Sequence, residues 1–138
     1  EIPFELGLLG HSDADALAHA VIDALLGACA LGDIGQHFPD SDEAFRGISS
    51  LLLAKEAAAR IRAAGFETVN IDSVITAQKP KLAPFREAMR ANLAEALGVP
   101  PENISVKFTT PEGTGPEGNL ECITVRAVAA VRKVRIQC

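Results

Sequence analysis

The sequence predicts an α/β (α+β) chain: a single domain in which a mixed β-sheet is covered by helices. Three observations carry this. Apolar residues recur at helical spacing in three stretches, alternate with polar ones in three others, and glycine or proline marks most changes between the two patterns. With 138 residues, 48% of them hydrophobic, and a mean hydropathy of +0.18, the chain has enough apolar side chain for a sizeable core.

Taken in order, the first helix is capped by Ser12 or Asp13 and runs to about Leu31. Leu17, Val21, Ala24, Leu25 and Ala28 recur along it, and Gly32 supplies the stop. Residues 38–47 are polar, carry Pro39 and Gly47, and read as a loop. A second amphipathic helix covers residues 48–64, closed by Gly65. Val69, Ile71, Ser73, Ile75 and Ala77 alternate with Asn70, Asp72, Val74 and Thr76, which predicts a strand over 68–78. Residues 79–84, with two prolines, must leave the sheet. Pro84 suits the first turn of a third helix bearing Phe85, Met89, Leu93 and Leu97, which Gly98 ends. Ile104, Val106 and Phe108 form the next strand and residues 123–136 a long last one, with the glycine-rich loop 111–118 between them. No repeat, low-complexity linker or second domain is visible.

Composition excludes several functions. A formal net charge of −5 and a pI near 5.1 leave no basic stripe to displace counterions from nucleic acid or to bind an anionic membrane. Lys79, Lys81 and Arg86 make only a local basic patch. There is no Trp or Tyr to stack on single-stranded bases. Cys29, Cys122 and Cys138 are odd in number and widely spaced, matching neither a zinc-finger pattern nor a disulfide framework. They read as reduced thiols, Cys29 buried in a helix and Cys122 in a strand. The chain opens at Glu1 without Met, shows no export signal and has no apolar run long enough to cross a membrane. A cytoplasm-like compartment is the expectation, or a plastid in a plant or alga.

The chemistry concentrates near the start. Nine acidic residues and no lysine or arginine occupy the first 45 positions, and His11, His19 and His37 all fall there. Such a run of oxygen and imidazole donors suits divalent metal bound beside phosphate. On the first helix Asp15, His19 and Asp23 share one face, because residues four apart lie one above another. His19 is a zinc-type ligand or a satisfied structural side chain; Asp15 and Asp23 are acceptors for its ring N–H or ordinary caps and solvated charges. Asp40 and Asp42 fit an Asx-turn as well as a phosphate pocket. Lys79-Pro80-Lys81 is a solvated loop or a phosphate contact. The glycine-rich stretch after Thr109-Thr110 is not a Walker A loop, since no Gly-Lys-Ser/Thr follows.

Together these segments carry a resemblance. Gly7-Leu8-Leu9-Gly10-His11-Ser12-Asp13-Ala14-Asp15 with His19, residues 23–27 (Asp-Ala-Leu-Leu-Gly) and Leu31-Gly32-Asp33-Ile34-Gly35 is similar to the 2-C-methyl-D-erythritol 2,4-cyclodiphosphate synthase family. Phe38-Pro39-Asp40-Ser41-Asp42, Ala77-Gln78-Lys79-Pro80-Lys81-Leu82 and Val106-Lys107-Phe108-Thr109-Thr110 continue the pattern in the same order. The resemblance covers essentially the whole chain.

It implies a homotrimer whose sheets surround a central apolar cavity, with active sites between subunits. It also implies a reaction, the cyclisation of 4-diphosphocytidyl-2-C-methyl-D-erythritol 2-phosphate with release of cytidine monophosphate. Two anionic groups must be forced together, so the site has to supply positive charge and alignment. The family uses zinc and a magnesium or manganese ion for this. By match to the family's motifs, His19 is a zinc ligand and Glu112 takes the second metal. His11 and Ser12 face the phosphates, and Asp23 orients site residues. Asp33, with Ile34 and Gly35, binds the methylerythritol hydroxyls, and Phe38, Asp40 and Asp42 line the same pocket. Ala77, Gln78, Lys79, Pro80, Lys81 and Leu82 hold the cytidine side. Thr109 and Thr110 reach the α-phosphate region, with Thr110 in the catalytic set beside His11 and Asp23.

Three departures stand against the family pattern. An N-terminal strand with an Asp-x-His pair, the source of the other two zinc ligands, would lie upstream of Glu1, which suggests a segment of the protein before this chain. Gly113 stands where a lysine is usual and Asn119 where an arginine is common. A trimeric metal- or cytidine-nucleotide-binding module of the same fold, without catalysis, accounts for the same departures. A purely structural subunit would have no use for Asp33, Asp40, Asp42 and Glu112, all of which are present.

Overall fold

Alternation of apolar and polar residues in three segments gives three strands, and their pairing sets the frame. In the computed structural model, which describes residues 8–45, 47–79 and 81–135 and side chains from residue 16 onward, β1 (Phe66–Thr76) is the central strand. It pairs in parallel with β2 (Ile104–Thr109), Ile71 opposite Ile104 and Thr76 opposite Thr109. On its other side β3 (Thr124–Lys133) runs antiparallel, with Ile75 opposite Val125 and Ile71 opposite Ala129. The sheet is therefore mixed, as expected. A register shift between Thr68 and Asn70 marks a bulge at Val69, after which Ile71, Ser73 and Ile75 point inward and are buried.

Helices cover that inner face. α1 (Leu8–Ala28) packs on β3 and on α3 (Ser50–Ala63), α3 packs on α4 (Arg86–Leu97), and α4 closes on β2. The core they enclose contains Val21, Ile22, Leu25, Leu26, Ile61, Leu93 and Leu97, all at 2% exposure or less. Fully burying each such side chain is worth roughly 1.5–3 kcal/mol. No described helix is long and apolar enough to cross a membrane.

Several boundaries differ from the sequence expectation. Helix α1 begins at Leu8, so Ser12 and Asp13 lie inside it and neither caps it. Leu8 and Leu9 are strong helix formers, and the intervening Gly10 costs only about 1 kcal/mol. The same helix ends at Ala28, before Leu31. Leu31 N–H donates to Leu26 O at 2.9 Å and Ala30 N–H to Gly27 O at 3.0 Å, with Ala30 left-handed at φ +55. That pair of bonds is a Schellman stop, with alanine where glycine is usual. Ser49 caps α3 by accepting from Leu52 N–H at 3.2 Å, so the second helix starts two residues later than its periodicity suggested.

Ala83–Phe85 form a 3-10 turn ahead of α4, and left-handed Gly98 ends α4. Within 34–47, the short α2 (Ile34–His37) precedes a 3-10 turn, Glu43–Phe45, so the expected loop is partly structured. The glycine-rich loop likewise contains a single turn, α5 (Gly115–Gly118), because Pro116 presets the helical φ at its start. Gly118 sits so close to Gly113 that a Cβ there would lie 2.3 Å from the Gly113 carbonyl carbon. Cys29 is buried and burial pushes its thiol pKa up. Cys122 is exposed, because β3 begins only at Thr124 and leaves it in the irregular segment before the strand. Cys138 and Ile136 lie outside the described residues.

Candidate active site

The first set of candidate residues is organised by α1 and the segment after it. His19 is exposed on α1, with Nε2 3.4 Å from Ser50 Oγ at the start of α3. One turn further along, Asp23 Oδ1 accepts from Ile34 N–H at 2.8 Å, tying the Asp33-Ile34-Gly35 segment to the helix. Asp33 caps α2 through a capping box: its Oδ1 accepts from Gln36 N–H at 2.8 Å, and Gln36 Oε1 accepts from Asp33 N–H at 3.2 Å. Gly32, at φ +103, leaves the space that the Gln36 amide fills. Phe38 is buried, with Phe45 edge-on at 5.1 Å. Asp42 Oδ1 accepts from Ala44 N–H at 3.0 Å, an Asx-turn, and Asp40 is exposed beside it.

A second set gathers outside the carboxyl ends of the parallel strands β1 and β2, where ligands of open α/β sheets habitually bind. A cavity of about 840 Å³ opens there. Its apolar wall is Ile75, Ala77, Leu82 and Phe108, and its polar rim includes Gln78, Lys79, Lys81, Thr109 and Thr110. Ala77 N–H donates to Thr109 O at 3.1 Å, which keeps the two strand ends together past the sheet. Arg86 lies over the Phe108 ring at 5.1 Å. At the mouth, Thr110 Oγ1 donates to Glu112 Oε1 and accepts from Glu112 N–H, both at 3.3 Å, while Gly113 N–H donates to Gln78 Oε1 at 2.8 Å. Glu112 is left-handed at φ +55, so these bonds hold a strained residue in place.

The structure thus brings Ala77, Gln78, Lys79, Lys81, Leu82, Thr109 and Thr110 to one cavity with Glu112 hydrogen-bonded at its edge. His19, Asp23, Asp33, Phe38, Asp40 and Asp42 are not among its walls. The side chains of His11 and Ser12, and all of Pro80, lie outside the described residues. Among the described residues no three His, Cys, Asp or Glu side chains converge as a metal site. His19 alone supplies one imidazole, short of the three protein ligands of a tetrahedral zinc centre. Three further contacts escaped the sequence reading: Ser50 to His19, Gln78 to Gly113, and Arg60 to His37. Each joins residues 23 or more apart in the chain, beyond the reach of any local pattern.

Residues 1–132 match the model of the YgbB family. The chain belongs to that family. A curated relative, 2-C-methyl-D-erythritol 2,4-cyclodiphosphate synthase of Carboxydothermus hydrogenoformans, is 58% identical over 134 residues, covering 97% of this chain and 82% of its own. The "Bifunctional enzyme IspD/IspF" of Albidiferax ferrireducens is 56% identical over 133 residues; the chain spans only 32% of its length. Among solved structures, a 2C-methyl-D-erythritol-2,4-cyclodiphosphate synthase in a CDP-bound form superposes with a TM-score of 0.75 at 36% identity, covering 83% of this chain and 74% of that one. The mixed sheet and its helices are thus the family's fold.

Proposed function

We propose that this chain converts 4-diphosphocytidyl-2-C-methyl-D-erythritol 2-phosphate to 2-C-methyl-D-erythritol 2,4-cyclodiphosphate and cytidine monophosphate, a lyase step of the non-mevalonate isoprenoid route. The observation that carries this is the cavity at the ends of β1 and β2, rimmed by two lysines and two threonines, in a chain 58% identical to a named synthase. In the reaction the 2-phosphate oxygen forms a bond to the β-phosphorus, and the bond from that phosphorus to the oxygen bridging to the α-phosphate breaks. The electron pair of that bond leaves on cytidine monophosphate. No protein nucleophile is required; alignment and neutralisation of charge are.

The cavity takes the cytidine side, with Ala77 to Leu82 around the base and ribose. Lys79 and Lys81 offset phosphate charge, and Thr109 and Thr110 donate toward the α-phosphate. Asp33, Phe38, Asp40 and Asp42 hold the methylerythritol part, Asp23 fixing the Ile34 amide and so the orientation of that segment. His11 and Ser12 face the phosphates. We assign zinc to His19, with its remaining ligands outside the described residues, and magnesium or manganese to Glu112. Bound metal would supply Lewis-acid charge to the diphosphate. His19 and Asp33 do not line the cavity of their own chain, which fits the arrangement the family resemblance implies, a homotrimer in which one subunit's cavity meets its neighbour's His19 and Asp33. It is a cytoplasmic enzyme, or a plastid one in a plant or alga.

The test is phosphorus NMR of the purified protein with the diphosphocytidyl substrate, with and without divalent metal, alongside sedimentation for subunit number. Stoichiometric appearance of cyclodiphosphate and cytidine monophosphate only with metal is expected, from a species three times the chain mass. Tight binding of cytidine nucleotide without turnover under every metal would assign the chain to a non-catalytic binding module instead.

A further inference from the structure

Arg60 stands on α3, outside both sets of site residues, yet it grips the Asp40–Asp42 segment on both sides. Its Nη1 donates to the His37 carbonyl oxygen at 3.0 Å and to His37 Nδ1 at 3.1 Å. Its guanidinium carbon lies 4.6 Å from the Phe38 ring centroid and 5.8 Å from that of Phe45. Glu56, one turn earlier on the same helix, accepts from its Nε at 3.3 Å and orients the guanidinium plane. The remaining ring nitrogen of His37, Nε2, donates to Leu31 O at 2.8 Å, which leaves Nδ1 as the acceptor that Arg60 needs.

One guanidinium therefore joins the end of α1 through His37, the start of the loop through His37 and Phe38, and its far side through Phe45. Between those anchors lie Asp40 and Asp42, both exposed; Asp42 makes the Asx-turn to Ala44, its N–H donates to Pro39 O at 3.0 Å and its carbonyl accepts from Phe45 N–H at 3.1 Å. The contacts use two properties that lysine lacks, a planar fork of donors and a flat face that stacks on aromatic rings.

We propose that Arg60 is a positioning residue for the reaction proposed above: it sets the geometry in which the 38–45 loop presents Asp40 and Asp42 to the methylerythritol part of the substrate. This rests on the reading of that loop as substrate-facing. Arg60 touches none of the cavity residues assigned to cytidine, so its effect falls on one half of the substrate only.

The experiment compares wild type, Arg60→Lys and Arg60→Met in steady-state turnover of the full substrate, in calorimetric binding of CDP, and in thermal melting. Arg60→Lys is expected to raise KM for the full substrate roughly tenfold, about the loss of one charge-assisted hydrogen bond, with kcat within about twofold and CDP affinity unchanged. Hydrogen exchange at residues 38–45 should quicken in the same variant. Arg60→Met should raise KM further; if it fails to fold, the lysine variant decides. An unchanged KM in Arg60→Lys overturns the proposal whatever the melting point does. So does a parallel loss of CDP affinity, which would mean general loosening. Wild type that makes no cyclodiphosphate would overturn the functional reading itself, a result separate from either of these.

Discussion

Ala30 shows most directly how one residue can be out of keeping with its backbone. It occupies the left-handed position of the Schellman stop after α1, is exposed, and meets the conformation with a Cβ that glycine lacks. That conformation costs an L-residue about 1–2 kcal/mol, partly offset in a glycine variant by the greater entropy of its unfolded chain. Ala30→Gly should therefore stabilise the protein by about 0.5–1 kcal/mol, read as a rise in the urea midpoint with unchanged slope. A fall in the midpoint would show that the helix end is held by tertiary contacts strong enough to make the local strain irrelevant. Residue identity was legible in the sequence where the chemistry is local. Asp42 makes the Asx-turn that its type and neighbours suggested, and Cys29 is buried as expected, although it sits one residue past the end of α1 rather than in the helix. Cys122 was misplaced because strand pattern alone does not say where pairing with β1 begins, and pairing starts two residues later.

At the scale of elements, the helical and strand periods placed all three long helices and all three strands, while the short pieces were missed. Neither α2 nor α5 is long enough to show a period; what makes them is a cap, Asp33 with Gln36, and a proline, Pro116. The cavity residues were legible only as motifs, because their convergence depends on β1 and β2 running parallel and ending together at Thr76 and Thr109. The glycine-rich loop offers a test. Gly118 lies against the Gly113 backbone, and Gly113 N–H is the donor that Gln78 holds, next to left-handed Glu112. A Cβ at 118 would have to move that backbone, since a 2.3 Å approach to a carbonyl carbon cannot be relieved by a side-chain rotation. Gly118→Ala should cut turnover at least tenfold and raise the concentration of magnesium or manganese needed for half-maximal rate. Global stability should change by no more than about 1 kcal/mol, because the loop is exposed and outside the core. Equal metal dependence in the two proteins would disconnect the loop geometry from Glu112.

The whole molecule has one face of its sheet under helices and the other open. Asp72 and Lys107 pair across β1 and β2 on the open face at 2.9 Å, and Val128 of β3 is 71% exposed there. The Lys107 ammonium holds the Asp72 carboxyl below the usual carboxylate range, with the Ser105 hydroxyl assisting and partial burial opposing. Glu117 is likewise lowered, chiefly by the Thr124 hydroxyl at 2.7 Å. A carboxyl whose folded pKa lies below its unfolded one contributes stability that is fully present above the unfolded value, near 4 for such groups, and is lost as pH falls through the folded value. The protein should therefore lose stability on acidification from about pH 5 downward, and Lys107→Met should flatten the part of that slope due to Asp72 while leaving the part due to Glu117. Urea midpoints measured between pH 7 and pH 2 on both proteins check this. Parallel curves would show that Lys107 does not set the ionisation of Asp72, and that the pair on the open face is solvated apart in solution.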